Sequence, residues 1–235
     1  MSGTLYGIGV GIGDPDMMTM KAVKCIRSSD YICLPRENKD ECRAYLIARA
    51  AVPEIEEKEI IGFDFEMIRD AEVLRKKHHE IYETVKPYLE NGKVVSFLTI
   101  GDPTVYSTFS YIAEQAKKDG ANIRIINGIT SFCAFAARLG IALCEGGEEL
   151  HVVSEKESLD DALMLPGTKV IMKCNRDMCR IRELLKSYAE ECLKNGKKVE
   201  IYAVENCGME NEKLFFGLEE LPDDVAYMTT IIIKV

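Results

Sequence analysis

Two short turns constrain what this chain can fold into more than any other feature. Gly11-Ile12-Gly13-Asp14-Pro15 and Gly101-Asp102-Pro103 each follow an apolar run and precede an amphipathic one. Val94 to Leu98 reads as a buried strand of a parallel sheet. Thr104 is expected to open a helix running to about Lys118. Strand, tight turn and helix is how an open α/β sheet presents a ligand site, at a strand's carboxyl end beside a helix N-terminus. Gly101 lets a ligand approach the backbone closely. Asp102 places a carboxylate there, which suits a cationic or hydroxyl-rich ligand and repels a phosphate. The first turn closes the run Gly7-Ile8-Gly9-Val10 and leads into a helix expected from Met17.

Around these turns the pattern alternates strand and helix. Strands are predicted over Thr4–Val10, Asp30–Leu34, Ile55–Phe63 (near a sheet edge) and Ile123–Ile126. Helices are predicted over Met17–Arg27, Glu41–Ala50, Glu66–Glu90 and Phe132–Leu139. The Glu66–Glu90 helix carries an apolar stripe of Ile68, Val73, Ile81, Val85 and Leu89, and Pro87 is expected to bend or split it. This alternation predicts an α/β fold with a mostly parallel, doubly wound sheet. After Gly140 the character changes. Strands at Leu150–Ser154, Lys169–Met172, Lys198–Val204, Lys213–Phe216 and Tyr227–Val235 alternate less regularly with helices at Leu159–Met164 and Arg176–Lys194, so this second sheet should be mixed. The β-branched run Thr229–Ile233 suits its centre. Two α/β domains follow, residues 1–128 and 129–235, with the active-site cleft expected between them.

Composition narrows the function. Net charge is −9 over 235 residues and no basic block occurs, which argues against binding nucleic acid through its phosphates. The nine cysteines include no Cys-x-x-Cys pair, so neither a zinc site nor a redox motif is indicated and no metal is expected. The chain runs from Met1 directly into a strand, without a signal peptide, and no apolar run is long enough to span a bilayer. A reduced cytoplasm fits these features. A dinucleotide site is the rival reading of the glycine-rich start, and it fails in detail. The G-x-G-x-x-G pattern is broken by Ile12, Asp14 or Asp16, whichever glycine is taken first. Leu34-Pro35-Arg36 stands where an acidic ribose ligand is needed. No Walker A sequence is present.

The motifs together resemble the tetrapyrrole methylase family. Val10-Gly11-Ile12-Gly13-Asp14-Pro15, followed by Met17-Met18-Thr19-Met20-Lys21-Ala22, is similar to the family's opening motif. Leu98…Gly101-Asp102-Pro103…Tyr106 is similar to its second, and Gly128-Ile129-Thr130-Ser131-Phe132 with Ala134 and Ala136-Ala137 to its third. The three occur in order at family spacing, and the resemblance covers nearly the whole chain. Tyr106-Ser107-Thr108 and Met172-Lys173 with Arg176 are most similar to the subgroup that methylates carbon 20 of precorrin-2 or its cobalt form. Where the family usually has proline, this chain has Ile12 and Asn127, and Cys207-Gly208-Met209 departs from a threonine-methionine pair.

The resemblance implies a methyltransferase of cobalamin biosynthesis that uses S-adenosyl-L-methionine, with a small tetrapyrrole substrate, and a homodimer. Carried over by position, Ile12, Ile100, Gly101, Asp102, Val105, Thr130, Ser131, Met172 and Ala203 would contact the cofactor. Asp102 and Tyr106 are candidates by location to take the proton that leaves carbon 20. Arg36, Lys173 and Arg176 are candidates for the substrate's carboxylates. Alternatives are a sister methylase acting at another ring carbon or on uroporphyrinogen III, a dinucleotide-dependent oxidoreductase, and a non-catalytic tetrapyrrole-binding protein. Plainer roles compete at several positions. Asp14 suits a cap of the Met17 helix and Thr130 and Ser131 suit a helix start. Met172 suits core packing, Tyr106 a wall, His78-His79 a solvated helix face and His151 a structural place.

Overall fold

The computed structural model describes residues 2–64, 70–154, 159–174 and 177–235. The expectations for Ile68 and Arg176 lie outside the described residues. The chain divides into two compact units, Met1–Thr130 and Ser131–Val235.

In the first unit, β1 (Thr4–Gly9), β2 (Tyr31–Leu34), β3 (Glu59–Gly62), β4 (Val94–Thr99) and β5 (Asn122–Ile126) form one sheet in the order β3-β2-β4-β1-β5. Every pairing in it is parallel. Both faces are covered, so the strands are apolar on both sides. On one face α1 (Met20–Ser28) and α2 (Arg43–Ala51) pack Ala22, Ile26, Tyr45 and Ala48 on Ile8, Val10, Ile32 and Leu98. On the other, α3 (Ala71–Glu90) and α4 (Phe109–Lys118) pack Tyr82, Val85, Leu89 and Phe109 on Leu5, Cys33, Val95 and Phe97. The helices that follow β1 and β4 therefore leave toward opposite faces, and the loops at those two strand ends stay uncovered by their own helices.

Several helices begin later than the sequence suggests, because side chains near their starts capture backbone N–H groups. Asp14 accepts from Asp16 N at 2.9 Å and closes a 3-10 turn over Pro15–Met17. Asp14 therefore caps that turn rather than α1. Thr19 caps α1, accepting from Ala22 N at 3.1 Å. The helix expected from Thr104 starts only at Phe109. Asp70 caps α3 through Glu72 N at 2.8 Å and Val73 N at 3.2 Å. Pro87 lies within α3 without splitting it, and Val73 is exposed rather than part of the apolar stripe. His78, expected on a solvated face, is buried and stacks on Tyr111 with ring centroids 4.6 Å apart, while His79 meets Gln115 Oε1 at 3.0 Å.

The second unit carries the mixed sheet. Strands β6 (Leu150–Ser154), β7 (Thr168–Met172), β8 (Glu200–Glu205), β9 (Lys213–Phe216) and β10 (Thr229–Lys234) take the order β6-β7-β10-β8-β9. Only β6 and β7 pair in parallel. β10 is central and almost wholly buried, as its β-branched sequence requires. Helices α6 (Leu159–Met164) and α7 (Met178–Lys194) cover one face, where Leu163, Ile181 and Leu185 meet Ile171, Ile231 and Ile233. Helix α5 (Ser131–Leu139), nine residues long, opens the unit.

Candidate active site

The carboxyl ends of β1, β4 and β5 interlock backbone against backbone. Val10 N donates to Thr99 O at 3.0 Å and Gly101 N to Gly11 O at 2.6 Å, joining the first two loops in an isolated antiparallel bridge. A Cβ at Gly9 would lie 2.4 Å from Gly101 O and 2.6 Å from Gly128 N, and one at Gly128 would lie 2.1 Å from Gly101 O. Only glycine fits at either place. Gly101 itself sits at φ 72. The spacing of these glycines was legible in the sequence, but their mutual contact was not.

Asp102 fastens the assembly. Its side chain is 6% exposed. Oδ1 accepts from Thr104 N at 2.8 Å and Thr104 Oγ1 at 2.5 Å, and Oδ2 accepts from Asn127 Nδ2 at 3.0 Å and Gly128 N at 3.1 Å. Burial pushes the carboxyl pKa up, but the four hydrogen bonds outweigh it and the net shift is downward. A carboxylate has about four acceptor sites, and here the protein occupies them. This corrects the expectation that Asp102 accepts from a ligand or takes a proton: it ties the second loop to the third. Its capture of Thr104 is also why no helix starts there. Asn127, where the family usually has proline, contributes one of the four bonds.

Ile12 is buried, and Ile100 and Val105 are half-buried, Ile100 against the α1–α2 core. Thr130 is half-buried, and its Oγ1 is buried with no hydrogen-bond partner among the described residues. Tyr106 is 42% exposed and holds φ 47, a left-handed backbone at the end of the second loop. Arg36 is exposed just past β2.

In the second unit, Ser131 Oγ meets Thr230 Oγ1 at 3.3 Å, and Thr230 is the cross-strand partner of Met172. Ser131, Thr230 and half-buried Met172 thus share one end of the sheet. Lys173 follows at φ 62, with its ammonium 5.9 Å from the Tyr227 ring centroid. Burial pulls its pKa down. Ala203 is 1% exposed and packs in the core, with its backbone paired to Ile231 on one side and Phe215 on the other. A cofactor contact by its side chain is therefore corrected, since the methyl group is enclosed. Sequence reasoning missed Thr230, Tyr227 and Glu205. Glu205 is buried and accepts from Lys213 Nζ and Ala226 N, each at 3.2 Å, which holds the segment bearing Tyr227. The one available signal was polar residues standing inside or beside apolar strands.

Fold and strand-end geometry define an α/β protein whose glycine loops interlock at the carboxyl ends of β1, β4 and β5, without a dinucleotide fingerprint. The chain belongs to the Tetrapyrrole (Corrin/Porphyrin) Methylases, whose family model matches residues 4–222. It is 35% identical over 98% of its length, and 95% of the relative's, to a probable cobalt-precorrin-2 C(20)-methyltransferase of Methanocaldococcus jannaschii. It is 27% identical over its whole length, and 97% of the relative's, to the cobalt-precorrin-2 C(20)-methyltransferase of Salmonella typhimurium. Among solved structures it shares the fold of a cobalt-precorrin-4 methyltransferase (TM-score 0.72, 21% identity, 98% and 94% of the two chains). It also shares the fold of the Thermus thermophilus uroporphyrin-III C-methyltransferase complexed with S-adenosyl homocysteine (TM-score 0.67, 21% identity, 99% and 97%).

Proposed function

We propose that this enzyme transfers a methyl group from S-adenosyl-L-methionine to carbon 20 of precorrin-2 or its cobalt form, in cobalamin biosynthesis. End-to-end similarity at 35% to a probable C(20)-methyltransferase supports the position on the ring. The observation that carries the cofactor assignment is the glycine cradle at the strand ends: Gly9 and Gly128 have no room for a Cβ against neighbouring backbone, and Gly101 holds a left-handed φ of 72. The residues present fit the cofactor. Thr130 Oγ1 is a buried hydroxyl in want of a partner, and the backbone groups around Gly101 suit an adenosine and an amino-acid end. When bound, the cofactor supplies an electrophilic sulfonium methyl.

The chain's own task is alignment. The attacking ring carbon is enamine-like and needs no strong base before transfer, and holding two reactants in line is worth roughly 7 kcal/mol or more. Asp102 serves by fixing the second and third loops to each other. Ile12, Ile100, Gly101, Val105 and Thr130 are the proposed cofactor contacts of the first unit, and Ser131 and Met172 those of the second. Lys173 and Arg36 meet substrate carboxylates. Tyr106, an exposed phenol on a strained backbone, is the proposed relay for the carbon 20 proton, its oxygen taking that proton as its own O–H proton passes to water. The enzyme works in the cytoplasm as a homodimer; the first is supported by nine free cysteines, the second by the family resemblance.

Incubation with precorrin-2 and methyl-labelled cofactor, followed by NMR of the product, tests the assignment. The new methyl is expected at carbon 20. A methyl at another ring carbon would make this a sister methylase, and no transfer with intact tetrapyrrole binding would make it a carrier.

A further inference from the structure

The second unit contains a cavity of about 430 Å³ at the end of its sheet away from Met172 and Lys173. Its floor is Lys169 of β7, which is 1% exposed. Lysine is almost never buried to this extent without a counter-charge. Here Nζ donates to Tyr188 Oη at 2.7 Å, and among the described residues no carboxylate comes within ion-pair distance of it. At the neighbouring strand position, His151 Nε2 lies 3.0 Å from Glu149 Oε2. An ammonium has three donors, and Tyr188 takes one of them. Burial alone is costly to such a cation and pulls its pKa down.

The walls favour one kind of visitor. Leu163, Met164, Leu165 and Pro166 line one side, and Met164 is 77% exposed at the end of α6. Large apolar side chains left in water at a cavity mouth mark a surface that something apolar covers. The opposite wall carries Lys197 and Glu191, whose charges cancel. One buried cation without a carboxylate partner, beside an apolar wall, matches a single negative charge on an apolar body.

We propose that this cavity binds a small monocarboxylate with an apolar tail, its carboxylate on the Lys169 ammonium and its tail along Leu163, Met164 and Pro166. The site is separate from the methyl-transfer site: four residues of extended strand, roughly 13 Å, separate Lys169 from Lys173.

Octanoate is the probe, followed by NMR of methyl-labelled methionine in the full chain, with the Met164 signal assigned through Met164→Leu. The expected result is saturable binding of octanoate that shifts the Met164 methyl. Lys169→Met should weaken it by about tenfold or more, as loss of a charge-assisted contact does. Tyr188→Phe, which frees the ammonium, should keep it. Octanol should bind wild type and Lys169→Met alike, and methyl transfer should be unchanged in both variants. Equal octanoate affinity in wild type and Lys169→Met, no binding by octanoate, or shifts confined to other methionines would overturn the proposal. So would octylamine binding as tightly as octanoate. None of these readouts depends on the methyltransferase assignment.

Discussion

Adding one methyl group at Gly128 should damage the cradle more than its size suggests. A Cβ there would lie 2.1 Å from Gly101 O, 2.8 Å from the Gly9 carbonyl carbon and 2.9 Å from Gly9 Cα. Carbon contacts are optimal near 3.5–4.0 Å, so the overlap is more than about 1 Å at Gly101 and roughly 0.6–1.2 Å at the end of β1. All three neighbours are backbone atoms in a hydrogen-bonded bridge, and none can rotate away. Overpacking costs about 1–3 kcal/mol, and the upper end applies. At roughly 2–4 °C per kcal/mol for a chain of this size, Gly128→Ala should lower Tm by about 6–12 °C. If the loops part to admit the methyl, the loss moves to the cofactor, because a displacement of about 1 Å can cost on the order of 100-fold. Thermal unfolding with and without S-adenosylhomocysteine, together with calorimetric affinity, reads both. Gly147→Ala is the control: nothing lies within 4 Å of its Cβ, and its effect should stay within about 0.5 kcal/mol. Gly101→Ala separates the two causes, since its nearest contact is an ordinary 3.9 Å but its φ is 72; it should cost about 1–2 kcal/mol from backbone strain. A Gly128→Ala protein with wild-type Tm and wild-type affinity would refute the reasoning.

Three further outcomes are expected. Asp102→Asn turns an amide toward donors on Asn127 and Gly128 and should destabilise by about 1–3 kcal/mol, measured by urea unfolding. Because the native pKa of Asp102 is depressed, its contribution is present above the unfolded value near 4 and is lost as pH falls below it; the variant should lack this part of the acid limb. His78 is held neutral by burial, which lowers its pKa. Its contribution is therefore full above about pH 6.5 and declines as pH falls below that value, where the unfolded chain gains the proton. His78→Phe, which can keep the stacking on Tyr111, should lose less stability than wild type between pH 8 and pH 5. Lys173→Met should raise KM for the tetrapyrrole by roughly 10–100-fold, the worth of one charge-assisted hydrogen bond, with a smaller change in kcat; an unchanged KM would remove Lys173 from the substrate site.

The sequence by itself determined the two α/β units, a mostly parallel first sheet that the structure shows to be wholly parallel, the mixed second sheet with the Thr229–Ile233 run at its centre, and the three glycine-containing loops. These are local properties, written in hydrophobic period and in turn residues. It did not determine where the helices begin, because a single carboxylate such as Asp102 or Asp70 captures N–H groups and resets the start. Nor did it determine which polar residues work for the ligand and which for the fold. Asp102 looked like a ligand for the visitor, but its acceptors are filled by Thr104, Asn127 and Gly128. Ala203 was expected to contact the cofactor, but its side chain is enclosed in the core. Lys169 lay in an apolar run without remark, and only the packing of α6 and α7 over β7 made it a buried cation at the floor of a cavity. Such assignments depend on groups far apart in the chain becoming neighbours, and the tertiary structure alone brings them together.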